Sequence, residues 1–541
     1  MTQSGTLNDQ IQLLQSADET KIIQSLKDLQ TILAGFKFKE QQKRVLEQLP
    51  IGLLFNCFQT NNIKQLELIC KVMHKLFFID DQDFRNLNND QMKIIDMISQ
   101  DDQLASFLEL GWQHPSPLVR DLVVDQLSKL PKAGRQDTLL NRQQYAKILA
   151  LAISDPELSI SRRAHNTCVL LSNNENVVSF LYQPNSPFST TIRDLYQSSH
   201  DDTIKMRIME LVVDMSLQST HSFQVIKESN ILMNLIHLIN DPRASENVLE
   251  LLNGMELIQQ LASNQQGLLF LNENGALSTC VKLLLEHSED PILSGFTLNL
   301  IASIVQSSPH QDDYISNQPS SSKIYEKLFL KLKSNSDVNV KIALKVIGIL
   351  CSCSCHAFGQ LVNQDHQLTS NGEAYLSLIE RSSDIEIMVT FIHSLGELLH
   401  SNVIPSDDLK LLVDLLNVEI LKGYQSLVSN LFDLLKDPFP EMRMAAYHLM
   451  DGLCKRVWGI EMLVRQHALF VDFVVNNATE ITKELKEVKY SVVETLWETL
   501  LKSNDKNVMS GVDKAKIKIY LQRGPLYVHA EAAVAIATES R

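Results

Sequence analysis

An internal repeat constrains this chain more than any other feature. The stretches HPSPLVRDLVVDQL, from His114, and DPELSISRRAHNTCVLL, from Asp155, share one plan. A polar turn comes first, then apolar residues at i, i+3, i+4 and i+7, the stripe of a half-buried helix. The plan restarts at Asp201, Asp241, Asp290, Asn335, Ser382 and Asp437, with successive spacings of 41, 46, 40, 49, 45, 47 and 55 residues from His114 onwards. Around Asp437 a helix striped by Leu427, Val428, Leu431, Leu434 and Leu435 precedes the turn. Another, striped by Met442, Ala445, Ala446, Leu449, Met450 and Leu453, follows it. Two weaker units precede residue 100 and one follows residue 460. A single helical hairpin cannot bury its own stripe, so such units must stack on their neighbours. One elongated all-α array therefore replaces the several domains that length alone would suggest.

The turn DPFPEMR, from Asp437 to Arg443, resembles the HEAT consensus: Asp-Pro-x-Pro-x, an apolar residue and Arg, then alanines on the second helix. Arg120, Arg207 and Arg443 each lie six residues past their turn residue, with Lys341 in the same place in another unit. In HEAT proteins that basic residue joins a ladder along the inner helices, which is a structural role. The expected fold is an all-α, HEAT/armadillo-type α-solenoid of about ten to eleven helical-hairpin repeats. It should run through residues 1–528 as a single domain and leave 529–541 as a flexible tail. Polar interruptions at 182–191, 307–323 and 402–408 read as loops between helices. Phe439 breaks the local rule, because it stands where Ser116, Thr203, Asp337 and Asp384 stand in other units and where a capping side chain belongs. Two roles fit it: packing as a hydrophobic staple while Asp437 takes the free N–H groups, or contact with a partner.

The composition excludes several functions. A formal charge of −15 and the lack of a dense Lys/Arg run argue against nucleic-acid binding. No stretch has enough consecutive apolar residues to span a membrane, and the N-terminus lacks signal-peptide character. Eight scattered cysteines, mostly on apolar helical stripes, fit reduced thiols and a cytoplasmic location, with the nucleus as a second compartment. No phosphate loop, dinucleotide fingerprint, nucleophile elbow or H-E-x-x-H motif occurs, so no catalytic residue and no cofactor is expected. Cys351, Cys353, Cys355 and His356 have zinc-ligand chemistry but the wrong spacing, C-x-C-x-C-H, so small residues ending a helix are the preferred account.

The C-terminal part is more distinctive. It carries DPFPEMRMAAYHLM, then FVDFVV (470–475), TKELKEVKYSVVETL (482–496) and IYLQRGPLYV (519–528). In this order they resemble the 26S proteasome non-ATPase regulatory subunit 5 family, best over 431–528 and more weakly in DVNVKIALKVIGIL and NENGALSTCV. The cysteine cluster departs from that family. The resemblance implies a non-catalytic chaperone for assembly of the proteasome regulatory-particle base. It would bind the C-terminal domain of one ATPase subunit and, through it, meet a second ATPase subunit and a large non-ATPase scaffold subunit. Its expected effect is to delay docking of that ATPase on the core particle, and it should be a monomer when free.

Helical geometry places the outward residues of the second helices on the gripping surface: Arg120, Asp121, Arg207, Glu210, Asp214, Lys341, Arg443 and Tyr447, with Phe439 beside them. A solvated helix face is the plain alternative for each. A general HEAT-repeat adaptor, such as a nuclear transport receptor or phosphatase scaffold, is the competing function for the whole chain, and an enzyme built on the cysteine cluster is a third.

Overall fold

A computed structural model describes residues 7–34, 38–241, 247–287, 290–307, 321–378, 384–421, 426–503 and 508–526. These residues form 32 α-helices. Among them the only β pairing is an isolated bridge between Val362 and Leu368. No single described helix is long and apolar enough to cross a membrane. The fold is an α-solenoid.

The chain divides into two compact units, Met1–Leu261 and Ala262–Arg541. The first contains a row of long helices in which each packs on the next: Glu19–Ile32, Ile63–Leu76, Pro117–Lys132, Leu158–Leu171, Asp202–Ser216 and the helix that starts at Val248. Shorter helices, among them Asp102–Trp112, Gln143–Ala152 and Pro187–Ser198, back this row. In the second unit the row is Pro291–Ser307, Asp337–Cys353, Ile385–His400, Pro440–Cys454 and Lys483–Lys502. Six row helices and five agree with the repeat count read from the sequence. His114, Asp155, Asp201, Asp290, Asn335 and Asp437 each stand just ahead of a row helix, while Asp241 is followed by residues outside the described ones before the helix that starts at Val248.

The stripes predicted from periodicity are the core. Pro440–Cys454 buries Met442, Ala445, Ala446, Leu449, Met450 and Leu453. Burying each of Met442, Leu449, Met450 and Leu453 stabilises by roughly 2 kcal/mol, so the stripe dominates the helix's own propensity. The expected loops are shorter than read. Pro187–Ser198 starts inside 182–191, because the Ser186 hydroxyl accepts the Ser189 N–H at 3.0 Å and Pro187 fits the first helical position. Ser406–Leu421 likewise starts inside 402–408, and most of 307–323 lies outside the described residues, as do Ser382 and the tail 529–541.

Candidate partner-binding surface

Three of the turns before the row helices are held by the turn residue rather than by the cap. The Ser116 N–H donates to His114 Nδ1 at 3.0 Å, the Glu157 N–H to Asp155 Oδ1 at 2.9 Å, and the Phe439 N–H to Asp437 Oδ1 at 2.8 Å. Ser116, Glu157 and Phe439, the three cap residues, make no side-chain cap bond. Arginine six residues on completes the turn: Arg120 Nη1 donates to the His114 carbonyl at 3.2 Å, and Arg443 Nη1 to the Asp437 carbonyl at 2.9 Å. Asp437 thus takes the N–H of Phe439 itself, not those of the helix's first turn. Capping at the aligned position is also rarer than the sequence implied. Asp384 does cap, accepting from Glu386 N–H at 2.7 Å, but Asp201 and Ser336 are the caps where Thr203 and Asp337 were expected. Phe439 is 48% exposed, so its ring is only partly covered.

The basic residues form the ladder that their spacing suggested. Arg120 Nε lies 2.7 Å from Asp155 Oδ2, and Arg207 Nη1 donates to the Asp155 backbone carbonyl at 3.0 Å. Asp155 is buried and links both arginines. Beside it runs a second polar line. His74 Nδ1 is 3.5 Å from Asp125, Arg163 Nη1 is 2.7 Å from Asp125, and Arg163 Nε is 3.3 Å from Asp121. His165 Nε2 and Gln260 then reach the two oxygens of Asp214, at 2.8 and 2.6 Å. Burial would raise Asp125, but the hydrogen bonds and charges of His74 and Lys129 outweigh it and hold the carboxyl well below its usual range. The His165 hydrogen bond lowers Asp214 in the same sense. Asp121 and Asp214 are therefore tied between repeats, whereas Glu210 is exposed and forms no ion pair among the described residues.

In the second unit, Lys341 pairs with Glu386 of the next row helix. Tyr447 does not face outward as helical geometry suggests: its ring is fully buried and its hydroxyl donates to Glu480 Oε1 at 2.7 Å. Arg443 Nε lies 3.4 Å from the other oxygen of the same buried carboxylate. The segment leading to Lys483–Lys502 brings Glu480 over that face, so Tyr447 cannot touch a partner without unpacking the repeat. A groove of about 440 Å³ opens along the row, floored by Ile342, Ile349 and Val389 and edged by Lys341, Lys345, His393 and Glu397. A larger apolar pocket in the first unit, about 550 Å³, is walled by Phe55, Phe58, Phe77 and Phe107.

The cysteine cluster ends a helix, as its small residues suggested. Cys353 is the last residue of Asp337–Cys353, and Ser354 caps the short helix Cys355–Phe358. Cys351 Sγ donates to the Ala357 carbonyl and Cys355 Sγ to the Val403 carbonyl, so these thiols point to different neighbours. Burial pushes the Cys351 and Cys353 thiols up, away from the thiolate a metal needs. Sequence reasoning missed Asp125, Arg163 and His165. Asp125 stands four residues past Asp121 on one helix face, a signal that was available.

The family described as "Proteasome non-ATPase 26S subunit" matches residues 3–540. The chain belongs to that family. Among the curated members of this proteasome non-ATPase family, 26S proteasome non-ATPase regulatory subunit 5 of Bos taurus is 21% identical over 532 residues, covering 95% of this chain and 96% of the relative. The Homo sapiens protein of the same name matches over the same span at the same identity. Among solved structures, the crystal structure of Uso1-1 superimposes with a TM-score of 0.50 at 12% identity, covering 96% of this chain and 90% of the other. That likeness concerns the fold alone. The proteasome non-ATPase family match agrees with the resemblance carried by the C-terminal motifs.

Proposed function

We propose that this protein is a non-catalytic chaperone for assembly of the proteasome regulatory-particle base, which binds the C-terminal domain of one ATPase subunit and delays its docking on the core particle. The observation that carries the reading is the family match along the whole chain, from residue 3 to 540. The surface supports it: the exposed Glu210, a groove and a half-open Phe439 offer contacts that the ladder does not already use, and a stacked-repeat surface grips a folded domain without chemistry. Occupancy alone then excludes competing partners, and release needs a competitor of comparable strength. A second ATPase subunit and a large non-ATPase scaffold join through the bound subunit. The free protein is a monomer acting in the cytoplasm and nucleus.

The test is titration of the purified chain with the isolated C-terminal domains of the base ATPases, read by calorimetry. One of them should bind; binding to none would overturn the proposal. Phe439→Ser should weaken that binding about tenfold if the open ring anchors the partner, as buried aromatic anchors do. Unchanged affinity would place the contact elsewhere on the row.

A further inference from the structure

The row helices of the second unit start side by side. A Cβ on Gly295, early in Pro291–Ser307, would stand 2.6 Å from Ile342 Cδ1, early in Asp337–Cys353. Lys341 pairs with Glu386 at the start of Ile385–His400, whose last residue, His400, reaches Asp451 late in Pro440–Cys454 at 2.8 Å. Arg443 then meets Glu480, just ahead of Lys483–Lys502, at 3.4 Å. Early residues meet early ones and late residues meet late ones, so these helices run parallel and their N-terminal ends share one edge. On that edge an apolar side chain stands in water at nearly the same place each time. Ile292, Val338 and Ile385 are 60%, 55% and 45% exposed, the half-open Phe439 follows, and Ile481 is 91% exposed. Apolar residues exposed singly need no explanation, but a line of them at one offset along stacked helices marks an interaction surface.

The same edge is acidic. Asp337, Glu386, Glu441 and Glu484 lie in the first turns of their helices and are exposed. Of the bases beside them, Lys341 is taken by Glu386, Lys483 by Glu487 and Lys333 by Asn371, which leaves Lys436 among the described residues. Ile63–Leu76 and Pro117–Lys132 in the first unit also open on an exposed apolar residue, Ile63 and Leu118, but their described first turns hold no acid. The combination therefore belongs to the second unit. Apolar anchors set among negative charges suit a partner whose apolar residues are flanked by lysine or arginine.

Spacing selects the shape of that partner. Packed helices lie about 8–10 Å apart, so the anchors recur at about that interval. An extended segment repeats its same-face side chains every ~6.7 Å, and its residue ~10 Å further on points to the other face. An α-helix returns to the same face at every seventh residue, a rise of ~10.5 Å, and so keeps near step with the anchors. We propose that this edge docks a basic amphipathic α-helix of a partner protein. One apolar residue in every seven lies against the line of Ile292, Val338, Ile385 and Phe439, and lysine or arginine on its flanks faces Asp337, Glu386 and Glu441. The docking stands on the chemistry of the edge itself and does not depend on the partner being an ATPase.

The experiment is fluorescence anisotropy of the full chain with a synthetic helix of about 28 residues, which carries leucine at every seventh position, lysine on both flanks and alanine elsewhere. It should bind about tenfold more tightly than a peptide of the same composition with its leucines out of that register, and about a hundredfold more tightly than one with glutamate in place of lysine. Val338→Asp and Ile385→Asp should each weaken binding about tenfold. Aspartate suits the first turn of a helix and adds to the attraction for lysine, so both variants should fold and their loss reports the apolar contact alone. Ile63→Asp, in the first unit, should change the affinity by less than about twofold. Equal affinity for the two lysine peptides, or no loss in Val338→Asp and Ile385→Asp, would overturn the proposal. So would a dimer of the chain that Val338→Asp dissociates, since a second copy would then cover the edge. Either failure leaves the assembly reading standing, because no ATPase domain enters the measurement.

Discussion

Asp155 serves two repeats: its carboxylate holds Arg120 and its carbonyl holds Arg207. The Arg120–Asp155 pair is almost wholly withdrawn from water, with 15% and 3% of the side chains exposed, so removing one partner strands a buried charge. Asp155→Ala should therefore lower stability by about 3–5 kcal/mol, read as a fall in the urea midpoint of the first unit. The arginine ladder was legible because its members recur at one offset from the turn. Tyr447 was not. Its acceptor, Glu480, lies 33 residues away, and no local pattern announces that a later segment will cover the ring. The stacking of His448 on His400, with ring centroids 4.5 Å apart, was not legible either, because the two rings meet only through packing across repeats.

Helices of the second unit approach one another at glycines. A Cβ added to Gly295 would lie 2.6 Å from Ile342 Cδ1, one at Gly348 2.9 Å from Ser394 Cα, and one at Gly452 2.7 Å from Leu399 Cβ. The element-scale prediction separates rigid neighbours from yielding ones. Gly348→Ala presses on backbone and should cost about 2–3 kcal/mol, whereas Gly295→Ala presses on the end of an isoleucine and should cost about 1 kcal/mol. Thermal denaturation of the two variants checks the order, and equal shifts would contradict it. Helix existence was readable from the 3.6-residue period; helix starts were not, because capping rests on which neighbour's side chain reaches the free N–H. Asp201 caps two residues, and Ser336 one residue, before the place that alignment of the repeats indicated.

In stacked repeats each unit leans only on its neighbours, so damage stays local. Asp155→Ala should raise hydrogen exchange within Met1–Leu261 and change it by less than about twofold within Ala262–Arg541. Uniform loss of protection along the chain would mean that one cooperative transition spans both units. The repeat made the architecture of the whole chain legible, because a period states what must touch what. The surface a partner would grip was much less so, since a polar residue on a row helix can tie repeats together or face outward with the same spacing. The turn geometry bears on how such a surface can change over generations. In the Ser116 and Phe439 turns a side chain two residues upstream and an arginine downstream hold the bend, and in the Glu157 turn the upstream Asp155 does, so the residue at the cap is released from folding duty. Ser116, Glu157 and Phe439 already sample that freedom. New recognition can arise there one substitution at a time while the scaffold beneath remains the same.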